Sequence, residues 1–154
     1  MISFKITGLN PEVPPTLVSS EDNSTQAYFL TNNAKIVRVN LINEDTLIAA
    51  PIVDQIWNLS HKPTCLAIAK PLSSLEAASD FVVAYFGNVN GQVYSARLGA
   101  QGDLTIMKEL VSFEKPVKLL RLSKNQEYLV CASEGTSERV RVVKLKTGQR
   151  HFLP

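Results

Sequence analysis

Cysteine, tryptophan and long apolar runs are scarce in this chain of 154 residues. The only cysteines are Cys65 and Cys131. No CxxC or Cys/His cluster surrounds them, which argues against a disulfide or a metal site and predicts two buried free thiols. No apolar run approaches the roughly 18 residues that a membrane-spanning helix needs. The hydrophobic fraction of 45% instead predicts one globular domain with a real core and no membrane association.

Recognised catalytic and targeting motifs are also missing. The sequence has no serine in a nucleophile elbow, no zinc motif and no phosphate-binding loop. We therefore predict no cofactor, no metal and no catalytic residue set. The N-terminal run Met1–Ile6 lacks the basic start and apolar stretch of a signal peptide. An intracellular protein, cytoplasmic or nuclear, is the expectation.

A repeated unit is what the chain does contain. Each copy has three short β-rich runs with polar turns between them, and a weaker fourth run follows. The first three runs are residues 116–123, 127–133 and 139–148 in the clearer copy, and residues 63–69, 81–86 and 91–98 in the other. The two copies are offset by 47 residues, both from Phe81 to Tyr128 and from Leu98 to Leu145. That spacing lies near the roughly 40–50 residues of a β-propeller blade.

The repeat predicts an all-β fold, a partial β-propeller of about three four-stranded antiparallel blades. The predicted blades span about residues 16–59, 60–111 and 112–154. Residues 1–15 form a strand and a Pro-rich loop, and Ile2–Ile6 could be a latch strand. In the first unit we predict a hairpin across Asn32-Asn33, a returning strand at Leu47–Ala50, and a linker from Ile52 to Leu59 that contains Trp57.

The best copies also resemble a known group. Residues 127–134, followed by the V-x-V-x-x-L-x-T-G pattern of residues 140–148, are similar to a blade of the WD-repeat and lactonase-like propellers. Residues 81–104, with an Asn-Gly hairpin and a Gly-Asp-Leu turn, resemble lactonase-like blades. At blade level the resemblance covers residues 16–154. Three blades do not close a ring, which typically needs four to eight. A larger parent chain, a second copy or a partner is therefore expected to complete it.

Charge is distributed unevenly along the chain. Residues 1–60 hold three basic and six acidic groups, a net charge of −3, whereas residues 111–154 hold nine basic and four acidic groups, a net charge of +5. A basic end could meet an acidic partner or nucleic acid. The alternative, which we favour, is a solvated blade edge whose Lys and Arg side chains prevent pairing with the strands of other molecules. Nucleic acid is disfavoured because aromatic residues do not interleave with these charges. The candidate partner-binding residues are Arg121, Arg139, Arg141 and Lys144.

Two further residues are candidates for the mouth of a central channel. His61 precedes the inner run that begins at Pro63, where it could act as a general base or be an exposed loop histidine. Glu134 follows the second run of the last unit. The lactonase-like resemblance implies that an acidic residue near this place faces the channel, and the alternative is a turn residue beside Gly135.

The sequence leaves two functions open. One is a non-catalytic propeller scaffold segment that mediates protein–protein interaction within a larger multi-subunit assembly. The other is a fragment of a lactonase-like propeller hydrolase that acts on a sugar lactone. The expected partners are another protein or the remaining blades of a larger propeller, including a homodimer.

Overall fold

Twelve β-strands make up the regular structure of the described part of the chain, which contains no helix. The computed structural model describes residues 16–19, 25–31, 34–41, 52–59, 62–69, 81–134, 140–145 and 150–153. No helix long and apolar enough to cross a membrane is found in these ranges. The predicted latch strand Ile2–Ile6, the returning strand Leu47–Ala50 and the predicted turn residues Asn32-Asn33 lie outside them.

The strands form three sheets of four. Blade 1 contains β1 (Thr16–Ser19), β2 (Thr25–Leu30), β3 (Lys35–Leu41) and β4 (Ile52–Asn58). Blade 2 contains β5 (Pro63–Ile68), β6 (Phe81–Asn88), β7 (Gln92–Gly99) and β8 (Leu104–Ser112). Blade 3 contains β9 (Val117–Leu122), β10 (Tyr128–Ser133), β11 (Val140–Lys144) and β12 (Arg150–Leu153). In each sheet the strand order follows the chain, and neighbours pair antiparallel.

The first strands of the three sheets lie next to one another. Strand β5 contacts β1 and β2 of blade 1 on one side, and β9 of blade 3 on the other. The outer strands β4, β8 and β12 lie three strands away from this line of contacts. Antiparallel meanders that meet along their first strands are the blades of a propeller. The prediction of an all-β partial β-propeller is confirmed.

The prediction of a linker from Ile52 to Leu59 is wrong, because residues 52–58 form β4. Strand β4 pairs with β3, and Trp57 stands opposite Ile36. The register skips Asp54, since Arg38 faces Gln55 whereas the next residue of β3 faces Val53. An extra residue of this kind interrupts the alternation of apolar and polar side chains. The two-residue period that would have indicated a strand is therefore broken in the sequence.

Two predicted hairpins are present. Strands β2 and β3 pair as expected, and Ala34, the described residue before β3, has a positive φ of 63°. The connection from Asn88 to Gly91 joins β6 to β7. The Asn88 side-chain oxygen accepts hydrogen bonds from the backbone N–H groups of Asn90 and Gln92, both at 3.0 Å. Gly91 adopts a φ of 84°, which a residue without Cβ reaches at little cost.

Two apolar cores lie between the blades. The first joins blade 1 to blade 2 and includes Tyr28, Leu30, Ile36 and Trp57 on one side and Leu66, Ile68, Ala84, Phe86 and Leu98 on the other. The second joins blade 2 to blade 3 and includes Cys65, Ala67, Tyr85, Val93 and Val111 on one side and Val117, Leu120, Leu129, Cys131 and Val143 on the other. Blade-to-blade packing therefore supplies the hydrophobic stabilisation of this fold.

Blade 3 lies close against blade 2 at Gly87. A Cβ atom at this position would lie 2.6 Å from the Cβ of Val117 and 2.9 Å from the Sγ of Cys65. Because β9 must move to admit a methyl group, we expect Gly87→Ala to lower the free energy of unfolding by about 1–3 kcal/mol. Urea denaturation followed by circular dichroism measures the change. The exposed Ser112→Ala is the control, with an expected change within about 0.5 kcal/mol. Equal losses in both variants would contradict the close approach.

Candidate interaction surface

The two cysteines are free and buried, as predicted. Cys65 lies on the first strand of blade 2, and Cys131 lies on the second strand of blade 3. Burial raises the pKa of the Cys65 thiol, and burial together with the nearby Cys65 raises the pKa of Cys131 to about 12. Raised pKa values keep both thiols protonated at neutral pH and make them poorer nucleophiles than an exposed cysteine.

One face of blade 3 is turned towards blade 2. Leu120, Cys131 and Val143 pack there in the second core. Arg141 stands opposite Cys131 and therefore shares this face. Its Nη1 donates a hydrogen bond to the backbone oxygen of Ser112 at 2.7 Å. Its guanidinium lies 4.7 Å from the centre of the Phe113 ring, within the range of a cation–π contact. Arg141 thus ties blade 3 to the end of the outer strand of blade 2.

The opposite face of blade 3, which we call the outer face, is turned away from blade 2. Side chains directly across an antiparallel pair share a face. The register of β9, β10 and β11 therefore assigns eight described side chains to the outer face: Leu119, Arg121, Tyr128, Val130, Ala132, Val140, Val142 and Lys144. Ala132 is buried, Leu119 is 37% exposed, Arg121 is exposed, and the other five are half-buried. The centre of the outer face is apolar and two cations flank it.

The predicted partner-binding residues are divided between the two faces. Arg121 and Lys144 share the outer face. Arg141 lies on the other face, where its guanidinium contacts blade 2. Arg139 is outside the described residues. The structure therefore brings two of the four residues to one surface, and partner binding by them stays a prediction.

Of the two candidates for the channel mouth, the structure describes only Glu134. His61 lies outside the described residues. Glu134 is exposed at the end of β10, and its backbone N–H donates a hydrogen bond to the oxygen of Pro116 at 3.1 Å. This bond holds Glu134 beside the start of β9, the inner strand of blade 3. Within the described ranges, no group of three or more His, Cys, Asp or Glu residues could hold a metal ion.

Sequence reasoning missed the residues that lock the blades together. Trp57 donates from Nε1 to the backbone oxygen of Gly99 in blade 2 at 2.9 Å. Its neighbour Gln55, with its amide in the orientation that satisfies both groups, donates to the oxygen of Ala100 and accepts from the N–H of Gly102, each at 3.1 Å. Thr64 donates from its hydroxyl to the backbone oxygen of Val117. The one available signal was the single tryptophan of the chain, a residue type that usually finds a partner for its N–H when buried.

Comparison of the chain with known proteins finds a similarity in fold and none in family or curated sequence. No family model and no curated protein matches it. Thirty-eight chains of solved structures do. One of them is the crystal structure of a proposed 6-phosphogluconolactonase from Bacteroides uniformis, with a TM-score of 0.50 and 16% sequence identity. The match covers 90% of this chain and 40% of that one.

The present chain therefore spans about two fifths of the length of this structural neighbour. At 16% identity the likeness concerns the fold. It supports the lactonase-like part of the resemblance at that level, together with the all-β, antiparallel architecture. The WD-repeat part of the resemblance stays a prediction.

Proposed function

We propose that this chain is a segment of a lactonase-like β-propeller hydrolase that acts on a sugar lactone. The observation that carries the proposal is the fold likeness to a proposed 6-phosphogluconolactonase, which extends over 90% of the chain. Three blades occupy 40% of that neighbour, which leaves room for about four more of the same size and so for a closed ring.

Lactone hydrolysis needs few protein groups. Water adds to the ester carbonyl carbon, the bond from that carbon to the ring oxygen breaks, and the ring oxygen takes a proton to give the open hydroxy acid. A carboxylate or imidazole at the channel mouth could accept the proton of the attacking water. In this chain Glu134 and His61 are the proposed residues for that step. The hydrogen bond from Glu134 to Pro116 supports the choice, because it holds Glu134 at the end of the inner strands.

Proton release from 6-phosphogluconolactone and from δ-gluconolactone, measured against spontaneous hydrolysis, tests the proposal. We expect the propeller that contains this segment to hydrolyse at least one lactone above the spontaneous rate. Glu134→Gln should lower that enzymatic rate by about 10²–10⁴-fold, the usual contribution of a general base. Glu109→Gln, an exposed carboxylate on β8, is the matched control and should leave it unchanged. A folded propeller that contains this segment, with no hydrolysis above background and no binding of 6-phosphogluconate, would contradict the proposal.

A second candidate, the non-catalytic interaction segment, is favoured by the outer face of blade 3. That face combines a half-buried apolar centre with Arg121 and Lys144. Contiguous apolar surface on a sheet is commonly a contact site. Lactone hydrolysis lost on Glu134→Gln would favour the hydrolase. Its absence, together with association through the outer face, would favour the interaction segment.

A further inference from the structure

The first strands of blades 2 and 3 each contain an extra residue near their start. In β5, Pro63 and Cys65 face consecutive residues of β6, so Thr64 between them is extra. In β9, Lys118 is extra in the same way, because the residues on either side of it face consecutive residues of β10. A bulge of this kind disrupts the ladder of hydrogen bonds and re-aims a side chain. Contacts from outside the sheet therefore contribute to the position of each strand start.

Thr64 makes such a contact with blade 3. Its hydroxyl donates a hydrogen bond to the backbone oxygen of Val117, the first residue of β9. The Sγ of Cys65 lies 3.8 Å from the same hydroxyl oxygen. A hydroxyl has one proton to donate, and the carbonyl oxygen of Val117 is the nearer and the stronger acceptor. The hydrogen bond therefore joins the bulge of β5 to the backbone at the start of β9.

Glu134 is attached to the residue that precedes Val117. The N–H of Glu134 donates a hydrogen bond to the backbone oxygen of Pro116 at 3.1 Å. Two consecutive carbonyl groups at the start of β9 thus accept hydrogen bonds, one from blade 3 itself and one from blade 2. The Val117 side chain is 1% exposed and lies against Gly87 of blade 2. Blade 2 therefore holds, by backbone and by side chain, the segment that carries Glu134.

We propose that Thr64 is a positioning residue for Glu134. Its hydroxyl fixes the backbone at the start of β9, and that backbone holds Glu134 at the end of β10. The catalytic consequence rests on the proposed function, in which Glu134 accepts the proton of the attacking water. A general base must lie within hydrogen-bond reach of the proton that it takes. A small displacement of Glu134 therefore lowers the rate of the chemical step and affects substrate affinity little.

Hydrogen exchange at the Glu134 amide, resolved by NMR in the propeller that contains this segment, tests the positioning. Thr64→Val keeps the shape of the side chain and removes the donor, so we expect exchange about tenfold faster. Thr64→Ser keeps the hydroxyl and should exchange like the unaltered protein. The amide of Leu145, which donates to the oxygen of Glu127 at 2.9 Å elsewhere in blade 3, is the internal control and should not change. Thr105→Val, at an exposed position of β8, is the matched control variant.

Lactone hydrolysis by the same proteins tests the catalytic consequence. We expect Thr64→Val to lower kcat about 10- to 100-fold with little change in KM, because the base is displaced and the substrate is still bound. Thr64→Ser should restore most of the lost kcat. Thr105→Val should change neither constant. A loss of packing alone would not be reversed by serine, which lacks the methyl group of threonine.

The two measurements separate the failure of the positioning from the failure of the proposed function. Unchanged exchange at Glu134 in Thr64→Val would overturn the inference, and so would an equal increase at Leu145, which indicates a general loss of stability. Faster exchange at Glu134 alone, with no hydrolysis by the unaltered propeller, would support the positioning and overturn the proposed function. Faster exchange at Glu134 alone, with an unchanged kcat in an active propeller, would overturn the catalytic consequence.

Discussion

Replacement of Trp57 by alanine is expected to lower the free energy of unfolding by about 3–5 kcal/mol. Trp57 is fully buried and packs in the core between blades 1 and 2, where Tyr28 stacks at 6.4 Å between ring centres. Alanine would leave a large cavity and would remove the hydrogen bond to the backbone oxygen of Gly99. Both the packing and the hydrogen bond join blade 1 to blade 2, so the variant weakens the contact between these two blades. Urea denaturation measures the change. Circular dichroism is the signal, because Trp57 is the single tryptophan of the chain and its replacement removes tryptophan fluorescence.

Two further variants separate the contributions of Trp57. Trp57→Phe retains most of the apolar packing and loses the N–H donor, so we expect a smaller loss of about 1–3 kcal/mol. The oxygen of Gly99 keeps its turn hydrogen bond from Gly102 at 3.2 Å, which limits that cost. Ile56→Ala changes the adjacent residue, on the other face of β4 and 43% exposed, and should cost under about 1 kcal/mol. A loss in Trp57→Ala no larger than in Ile56→Ala would contradict the role of this contact.

Alkaline pH is expected to destabilise the fold through Cys131. Burial holds the pKa of its thiol at about 12 in the folded chain, against an ordinary value of 9.0. Well below pH 9 the thiol is protonated in both states, so its contribution to stability is fully present. As the pH rises from 9 towards 12 the unfolded chain loses this proton and the folded chain keeps it. The free energy of unfolding then falls by up to about 1.4 kcal/mol per pH unit, or about 4 kcal/mol in all.

Cys131→Val isolates this effect, because valine has similar bulk and no titrating group. In urea denaturation at pH 7, 9 and 10.5, the free energy of unfolding should fall less steeply with pH for the variant. The difference in slope should correspond to the release of about one proton on unfolding. The pKa of Cys65 and that of Tyr85 are also raised by burial, so part of the decline should remain. If the free energy of unfolding depends on pH equally in the variant and in the unaltered chain, the pKa of Cys131 does not differ between the folded and unfolded states.

The blades were predictable from the sequence because their signals are local. The Asn88–Gly91 connection and the strands around it were identified from an Asn-Gly turn between β-rich runs, and the structure shows the hydrogen bonds and the positive φ that these residues provide. The assignment of residues 52–58 failed because β4 contains an extra residue at Asp54, which breaks the alternation on which a strand prediction depends. Only the partner strand β3 defines the register there.

The candidate surface was predictable only in part. Arg121, Arg141 and Lys144 were chosen for charge and position in the last unit, and sequence alone could not assign them to faces. The face of a β-strand residue follows from its register with the neighbouring strand. That register turns Arg141 towards Ser112 and Phe113, and Arg121 and Lys144 away from blade 2. Leu119 went unnoticed because an apolar residue in a strand is ordinary until its exposure is known.

The sequence by itself determined the all-β class, the number of blades and the two free thiols, because strand patterning, turn residues and repeat spacing act over a few residues. Only the tertiary structure decided which blade face is packed and which is open. The contacts that decide this join residues far apart in the chain, such as Trp57 with Gly99 and Arg141 with Ser112. No local pattern encodes such a pair, since its formation depends on how whole sheets are stacked.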